Sequence, residues 1–167
     1  YRYVPVALHE GGPAVALPER HPATHTTGAL AARLSQSVGS GVAVHGGYRV
    51  YVDSWGVVGH TADAAVARSF FGERLALRLD TRAYVQGPAS FHDDYVIDGG
   101  AAPGFRTADR RLGAMHDVLA GGSGTLDLPS VGPARLRVQL RVAHAWFRYH
   151  DAVIAARDAW IAGLGVG

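Results

Sequence analysis

Residues 71–87, FGERLALRLDTRAYVQG, consist of two interleaved sequences. Leu75, Leu77, Leu79, Thr81, Ala83 and Val85 form one; Ala76, Arg78, Asp80, Arg82, Tyr84 and Gln86 form the other. Successive side chains of a strand point to opposite sides, so this pattern predicts a β-strand with one apolar and one charged face. A soluble sandwich would turn the apolar face into its core. A membrane barrel would turn it outward to lipid.

The same alternation recurs along the chain. Residues 26–38 set Leu30, Ala32 and Leu34 against Arg33, Ser35 and Ser37, and residues 42–53 set Val44, Tyr48, Val50 and Val52 against His45, Arg49, Tyr51 and Asp53. Residues 57–71 oppose Ala62, Ala64 and Val66 to Thr61, Asp63 and Ser69. Residues 112–128 alternate more weakly, whereas residues 134–149 alternate cleanly, with Leu136, Val138, Leu140 and Val142 opposite Arg135, Arg137, Gln139 and Arg141. Trp160, Ala162, Leu164 and Val166 share one side of the last segment. We therefore expect about seven or eight strands, counting residues 1–6 (YRYVPV) as the end of a strand already under way.

Strand length and loop length both favour the membrane. With their flanks the segments run about 12 to 17 residues, against about five or six for globular strands and about nine to eleven for membrane strands. The connections at 38–41, 72–73 and 129–133 are short and fall at one end of the sheet; those at 5–25, 54–56, 88–110 and 149–151 fall at the other, and two of them are long. Short turns at one rim and longer loops at the other are the asymmetry of outer-membrane barrels. The apolar faces are rich in Ala, Val and Leu, which suits a lipid-facing wall with no interlocking core. Tyr84, Trp146, Phe147, Tyr149, Phe70, Phe71 and Trp55 near the segment ends read as interfacial girdles.

Composition narrows the function. The 167 residues contain no apolar run of the roughly 18 residues that a spanning helix needs, and the absence of cysteine excludes thiol chemistry and thiolate metal sites. All 16 basic residues are arginine and the net charge is +2, with the arginines spread through strands rather than clustered, so nucleic acid is not an expected partner. The start at Tyr1, without Met or a signal peptide, reads as a partial chain.

Several stretches carry a family resemblance: YRYVPV, LPERHPATHTTGALAARLSQ, GYRVYVDSWGVVGHTADAAVARSF, LRLDTRAYVQGPASF and FRTADRRLGAM. Their most specific element is Tyr51, Trp55, Gly56, His60 and Thr61, in the pattern Tyr-x-x-x-Trp-Gly-x-x-x-His-Thr. Over roughly residues 1–120 the chain resembles the bacterial family catalogued as domain of unknown function 3570, a group of predicted outer-membrane β-barrels. The resemblance implies a location and a fold, not a reaction. Members of that family are longer, which implies that residues 1–167 are the C-terminal part of a longer barrel.

Four groups of residues stand out as candidate sites. Arg33, Arg49, Arg78, Asp80, Arg82, Arg135, Arg137 and Arg141 lie on the polar faces and would line a barrel lumen, with Asp53, Asp63 and Asp80 as counter-charges. They read either as a structural ion-pair network or as an anion-preferring channel wall. Trp55, Gly56, His60 and Thr61 form a rim motif whose simplest reading is a hairpin connection, with Gly56 taking the turn, Trp55 anchoring and Asp53 and Ser54 bonding backbone. His92, Asp93 and Asp94 are the nearest approach to a metal site, but they fit no calcium-loop spacing and read as a solvated acidic loop. His45, His60, His116, His144 and His150 are scattered among strands, and no shared site is expected.

No Ser-His-Asp set, paired carboxylates or phosphate-binding glycine loop is discernible, so neither enzymatic activity nor a cofactor is expected. The sequence thus predicts an all-β, antiparallel transmembrane β-barrel of the bacterial outer membrane, with short periplasmic turns and longer extracellular loops. It would act as a pore or as a scaffold component of an envelope complex, with lipid and other envelope proteins as partners. The alternative is a soluble β-barrel or sandwich that binds a small apolar ligand.

Overall fold

A computed structural model of the chain describes residues 3–7, 12–93, 96–97, 104–129, 136–150 and 155–167. Its strands are β1 (Tyr3–Ala7), β2 (Ala14–Pro18), β3 (Thr27–Ser37), β4 (Val42–Asp53), β5 (Val58–Phe70), β6 (Leu75–Gln86), β7 (Val96–Ile97), β8 (Met115–Asp127), β9 (Arg137–Tyr149) and β10 (Ala156–Val166). No helix occurs among the described residues. Seven strands of 11 to 13 residues form one sheet in the order β10-β9-β8-β6-β5-β4-β3. Every pair in it is antiparallel. The sheet is open, because β3 and β10 are each paired on one side only.

The stub at the start of the chain is placed differently from the sequence expectation. Residues 3–7 do not extend the large sheet; as β1 they sit in a separate three-stranded sheet, antiparallel to β2 and parallel to β7. The alternation of five residues identifies a strand but not its partner.

The predicted alternation becomes two continuous faces. Leu79 pairs with Val66 and Gly122, Val66 with Val44, and Leu140 with Leu164 and Gly124, all on the apolar side. Little lies over this side: Leu30 is 79 % exposed, Leu79 65 % and Leu164 74 %. Arg33, Arg49, Asp63, Arg78, Asp80, Arg82 and Arg141 fall on the opposite side by the same registers. The girdle expectation is corrected in part. Tyr84, Phe147 and Tyr149 share the polar side with Asp117 and Met115, while Trp146 and Phe70 lie on the apolar side, near opposite ends of the sheet.

The turns explain why the ends differ. At the β3–β4 turn Gly39, Ser40 and Gly41 all take positive φ, and at the β5–β6 turn Phe71, Gly72 and Glu73 do. Most of the third expected turn, at 129–133, lies outside the described residues, within the 128–136 connection. At the other end, three loop segments are tied together. Arg20 and Arg106 exchange backbone hydrogen bonds, Ser90 N–H donates to Trp55 O, and Ala89 N–H donates to Leu112 O. Val4, Val6, Val57, Ala89 and Met115, which belong to β1 or to this long-loop end, are buried apolar side chains.

On the polar side β8 and β9 approach closely at Gly121. Cross-strand Cβ atoms normally lie about 4.5 to 5.5 Å apart, but a Cβ built on Gly121 would lie 2.6 Å from that of its partner Ala143 and 2.9 Å from Val142 O. Replacing Gly121 by Ala forces β8 and β9 apart, and the cost should be about 1 to 3 kcal/mol, the usual range for overpacking. Gly163→Ala, with nothing within 4 Å, is the control. In thermal unfolding followed by circular dichroism, Gly121→Ala should melt clearly below Gly163→Ala; equal midpoints would refute the close approach.

Candidate functional site

The polar side of the sheet is an array of arginines and carboxylates separated by small residues. Arg33, Gly47, Asp63 and Arg82 lie on one cross-strand row, and Ala65, Asp80, Gly121 and Ala143 on another. Glycines accept the larger side chains that lie across them: a Cβ on Gly47 would fall 2.5 Å from Asp63 Oδ1, and one on Gly59 2.8 Å from the Tyr84 hydroxyl.

The ion pairs take several geometries. Arg82 Nη2 meets Asp117 Oδ1 at 3.0 Å, and Asp117 is only 4 % exposed. Asp80 is shared by Arg141 at 3.3 Å and Arg78 at 3.8 Å. Arg137 Nη2 donates to Asp127 Oδ2 at 2.8 Å, directly across β8 and β9 at the short-turn end. Among the described residues no carboxylate pairs with Arg33 or Arg49, and the Arg49 guanidinium lies 5.8 Å over the Tyr51 ring. Arg135 lies outside the described residues. Of the expected counter-charges Asp80 is used; Asp63 lies against Gly47, and Asp53 serves the rim instead. Asp117 and Asp127 were not anticipated as partners, because β8 follows a connection whose length hides its register.

At the long-loop rim Asp53 organises the β4–β5 connection. Its Oδ1 accepts the backbone N–H groups of Trp55 (2.9 Å) and Val57 (3.0 Å). Its Oδ2 accepts the Tyr51 hydroxyl (3.0 Å) and His25 Nε2 (2.9 Å). Gly56 takes φ +89°, in the left-handed region, and Ser54 Oγ accepts Thr26 N–H. Trp55 donates its indole N–H to Thr24 O, stacks on His25 at 3.9 Å and meets the edge of Phe91 at 5.5 Å. The rim motif does not converge on one point: His60 turns to the apolar side, where it bonds the Tyr48 hydroxyl at 2.7 Å, and Thr61 turns to the polar side.

The neighbouring loop folds over the same end. Gln86 donates to the carbonyls of Arg111 and Gly113 and accepts from Tyr84. Glu19 accepts from the Thr107 hydroxyl and from Ala108 N–H. Two contacts of Asp109 and Arg111, at 2.6 and 3.1 Å, make a forked pair, and the hydrogen bonds and charge of Asp109 push the Arg111 pKa up. His92 and Asp93 lie in this region, and Asp94 is outside the described residues. Among the described residues no group of three or more His, Asp or Glu could hold a metal ion.

With this geometry in place, comparison with known proteins is specific on one point. The family model described as "Protein of unknown function (DUF3570)" matches residues 2–131. The chain belongs to that family. No curated protein and no solved structure matches it. The match takes in the rim residues, β1 through β8 and the arginines from Arg33 to Arg82; β9 and β10 lie beyond it.

Two predictions follow from the charges. Burial alone would raise the Asp53 pKa, but its hydrogen bonds from His25, Val57, Tyr51 and Trp55 outweigh burial and hold it below the ordinary carboxylate value. The resulting stabilisation is present above the unfolded value of about 3.9 and is lost as pH falls through the depressed folded value. Asp53→Asn should therefore be less stable near neutral pH by about 1 to 3 kcal/mol and show a flatter acid limb in melts between about pH 2 and 6. Parallel pH profiles would sink this assignment.

The second prediction compares two ion pairs. Arg82→Ala strands the buried Asp117, whereas Arg137→Ala breaks a pair whose side chains are 56 % and 41 % exposed. Arg82 is itself about half exposed, so we expect a loss of about 1 to 3 kcal/mol there against about 0 to 1 kcal/mol for Arg137→Ala. Urea titration of both variants measures the order, and the reverse order would refute it.

Proposed function

We propose that the chain is part of an outer-membrane β-barrel, with the arginine-bearing side lining a water-filled lumen and the apolar side facing lipid. The observation that carries this reading is the bare apolar face. A soluble sandwich would cover Leu77, Leu79, Leu140 and Leu164, yet these are 45 %, 65 %, 55 % and 74 % exposed.

Dimensions support the same reading. From Leu75 to Val85 the apolar side of β6 carries no charged residue. That stretch is about 33 Å along the strand, or about 25 Å vertically at a barrel tilt near 40°, the height of the apolar band of such barrels. Charges on the apolar side sit toward the ends: Arg68 one row from Phe70, and Asp158 and Arg148 near the long-loop rim. The short-turn rim would then be periplasmic and the long-loop rim extracellular.

Closure sets a parity condition. β3 and β10 both run from the long-loop end to the short-turn end, so joining them directly would make a parallel pair. An antiparallel cylinder therefore requires an odd number of further strands between those edges. With the seven present, the total becomes even, as in bacterial single-chain outer-membrane barrels.

Arg33 and Arg49, without carboxylate partners among the described residues, favour a pore that prefers anions over a neutral scaffold. The native protein should require detergent to stay monodisperse, and in planar bilayers under a KCl gradient its reversal potential should indicate anion preference. Arg33→Glu with Arg49→Glu should weaken or invert that preference. Monodispersity after detergent removal would overturn the membrane reading, and absent channels or cation preference in the native protein would overturn the anion pore.

A further inference from the structure

We propose that His116 and His150 form a binding site for a divalent transition metal, with zinc as the best geometric fit, on the apolar side of the sheet at its long-loop rim. This site does not depend on whether a lumen conducts. His116 Nδ1 lies 3.2 Å from His150 Nε2, with the ring centroids 5.2 Å apart. Two imidazole nitrogens bound tetrahedrally to zinc at about 2.05 Å lie about 3.3 Å apart, whereas adjacent positions of a square-planar ion would require about 2.9 Å. The observed separation matches the tetrahedral bite.

The backbone fixes this spacing. His116 is held in the β8–β9 ladder opposite Arg148, and the His150 N–H donates to Ala114 O at 2.9 Å, which places the two imidazoles diagonally across adjacent strands. Without metal, the two rings are joined by an N–H···N hydrogen bond; a zinc about 2.05 Å from both nitrogens would sit about 1.3 Å off that line, so its binding displaces the shared proton to solvent and turns both rings toward the ion.

The neighbouring charges define the strength of the site. Arg148 is the residue opposite His116, but its guanidinium donates to Phe147 O along its own strand. Arg110 lies over the Tyr149 ring, which belongs to the polar side. On its other side His116 pairs with Val85, which is uncharged. Water completes the coordination, which makes this an exchangeable site rather than a closed structural one. His144, packed against Trp146 and Trp160 at 4.2 and 4.4 Å, belongs to a separate cluster and serves as an internal control.

The test uses Zn²⁺ alone, titrated by calorimetry into the purified protein in detergent at about pH 7.5. A single zinc should bind, and His116→Ala or His150→Ala should each lower affinity about tenfold or more, the scale seen for losses around metal sites. The double variant should lose no more than either single one, and His144→Ala should bind as the native protein does. Unchanged circular dichroism of the variants separates ligand loss from misfolding. X-ray absorption of the zinc-loaded protein should show two imidazole nitrogens. Undiminished affinity in both single variants, or no saturable binding by the native protein, would overturn the site.

Discussion

Cross-strand register is the constraint on which the rest of the structure depends. A slip of one residue in any ladder would carry its whole row of arginines to the apolar side and its leucines to the polar side. The six ladders of the large sheet run without interruption through β3 to β10, so each strand inherits its orientation from its neighbour. Register is pinned locally where the chain reverses. Three consecutive positive-φ residues define each of the turns at 39–41 and 71–73, three of them the non-glycine residues Ser40, Phe71 and Glu73, and Asp53 clamps the turn at Gly56. Pairing of glycine with a bulky neighbour adds a steric check: Asp63 lies against Gly47 and Tyr84 against Gly59, and a slip would set each against a side chain.

The large sheet was legible in the sequence because alternation is a local signal repeated over 11 to 13 residues in each strand. The small sheet was not, since β7 has two residues and β1 has its partners at residues 14–18 and 96–97. At the candidate site, the side on which each described arginine lies followed from the same alternation, but its partner did not. Arg82 meets Asp117 from a strand 28 residues beyond the end of β6, and only the β6–β8 register brings them together. The placement of Tyr84 on the polar side was already contained in its parity with Arg82. Its nearness to a segment end misleadingly suggested a girdle.

The polar side requires water. Asp80 compensates parts of two arginines and Asp117 one, while Arg33 and Arg49 have no carboxylate partner among the described residues. A guanidinium cannot be left dry and unpaired, because the desolvation cost would exceed what the rest of the sheet supplies.

The opposite side is apolar and largely uncovered. Exposed Leu30, Leu34, Leu79, Trp160 and Leu164 lie on the same face of the sheet, spread from β3 through β6 to β10. A single-layer sheet with one such face and one hydrated ionic face fits best between two solvents, and on the proposed reading these are lipid and lumen water. The loop assembly then has a physical role that does not depend on transport. By binding Gln86, Asp53 and Glu19 to backbone groups of two separate segments, around residues 55–57 and 108–113, it satisfies polar groups at the end where the strands leave the apolar zone. The opposite rim is closed by tight turns at 38–41 and 71–74 and has no comparable assembly among the described residues. The two ends of the sheet are therefore chemically distinct, which on the proposed reading gives a membrane a basis for holding the chain in one orientation.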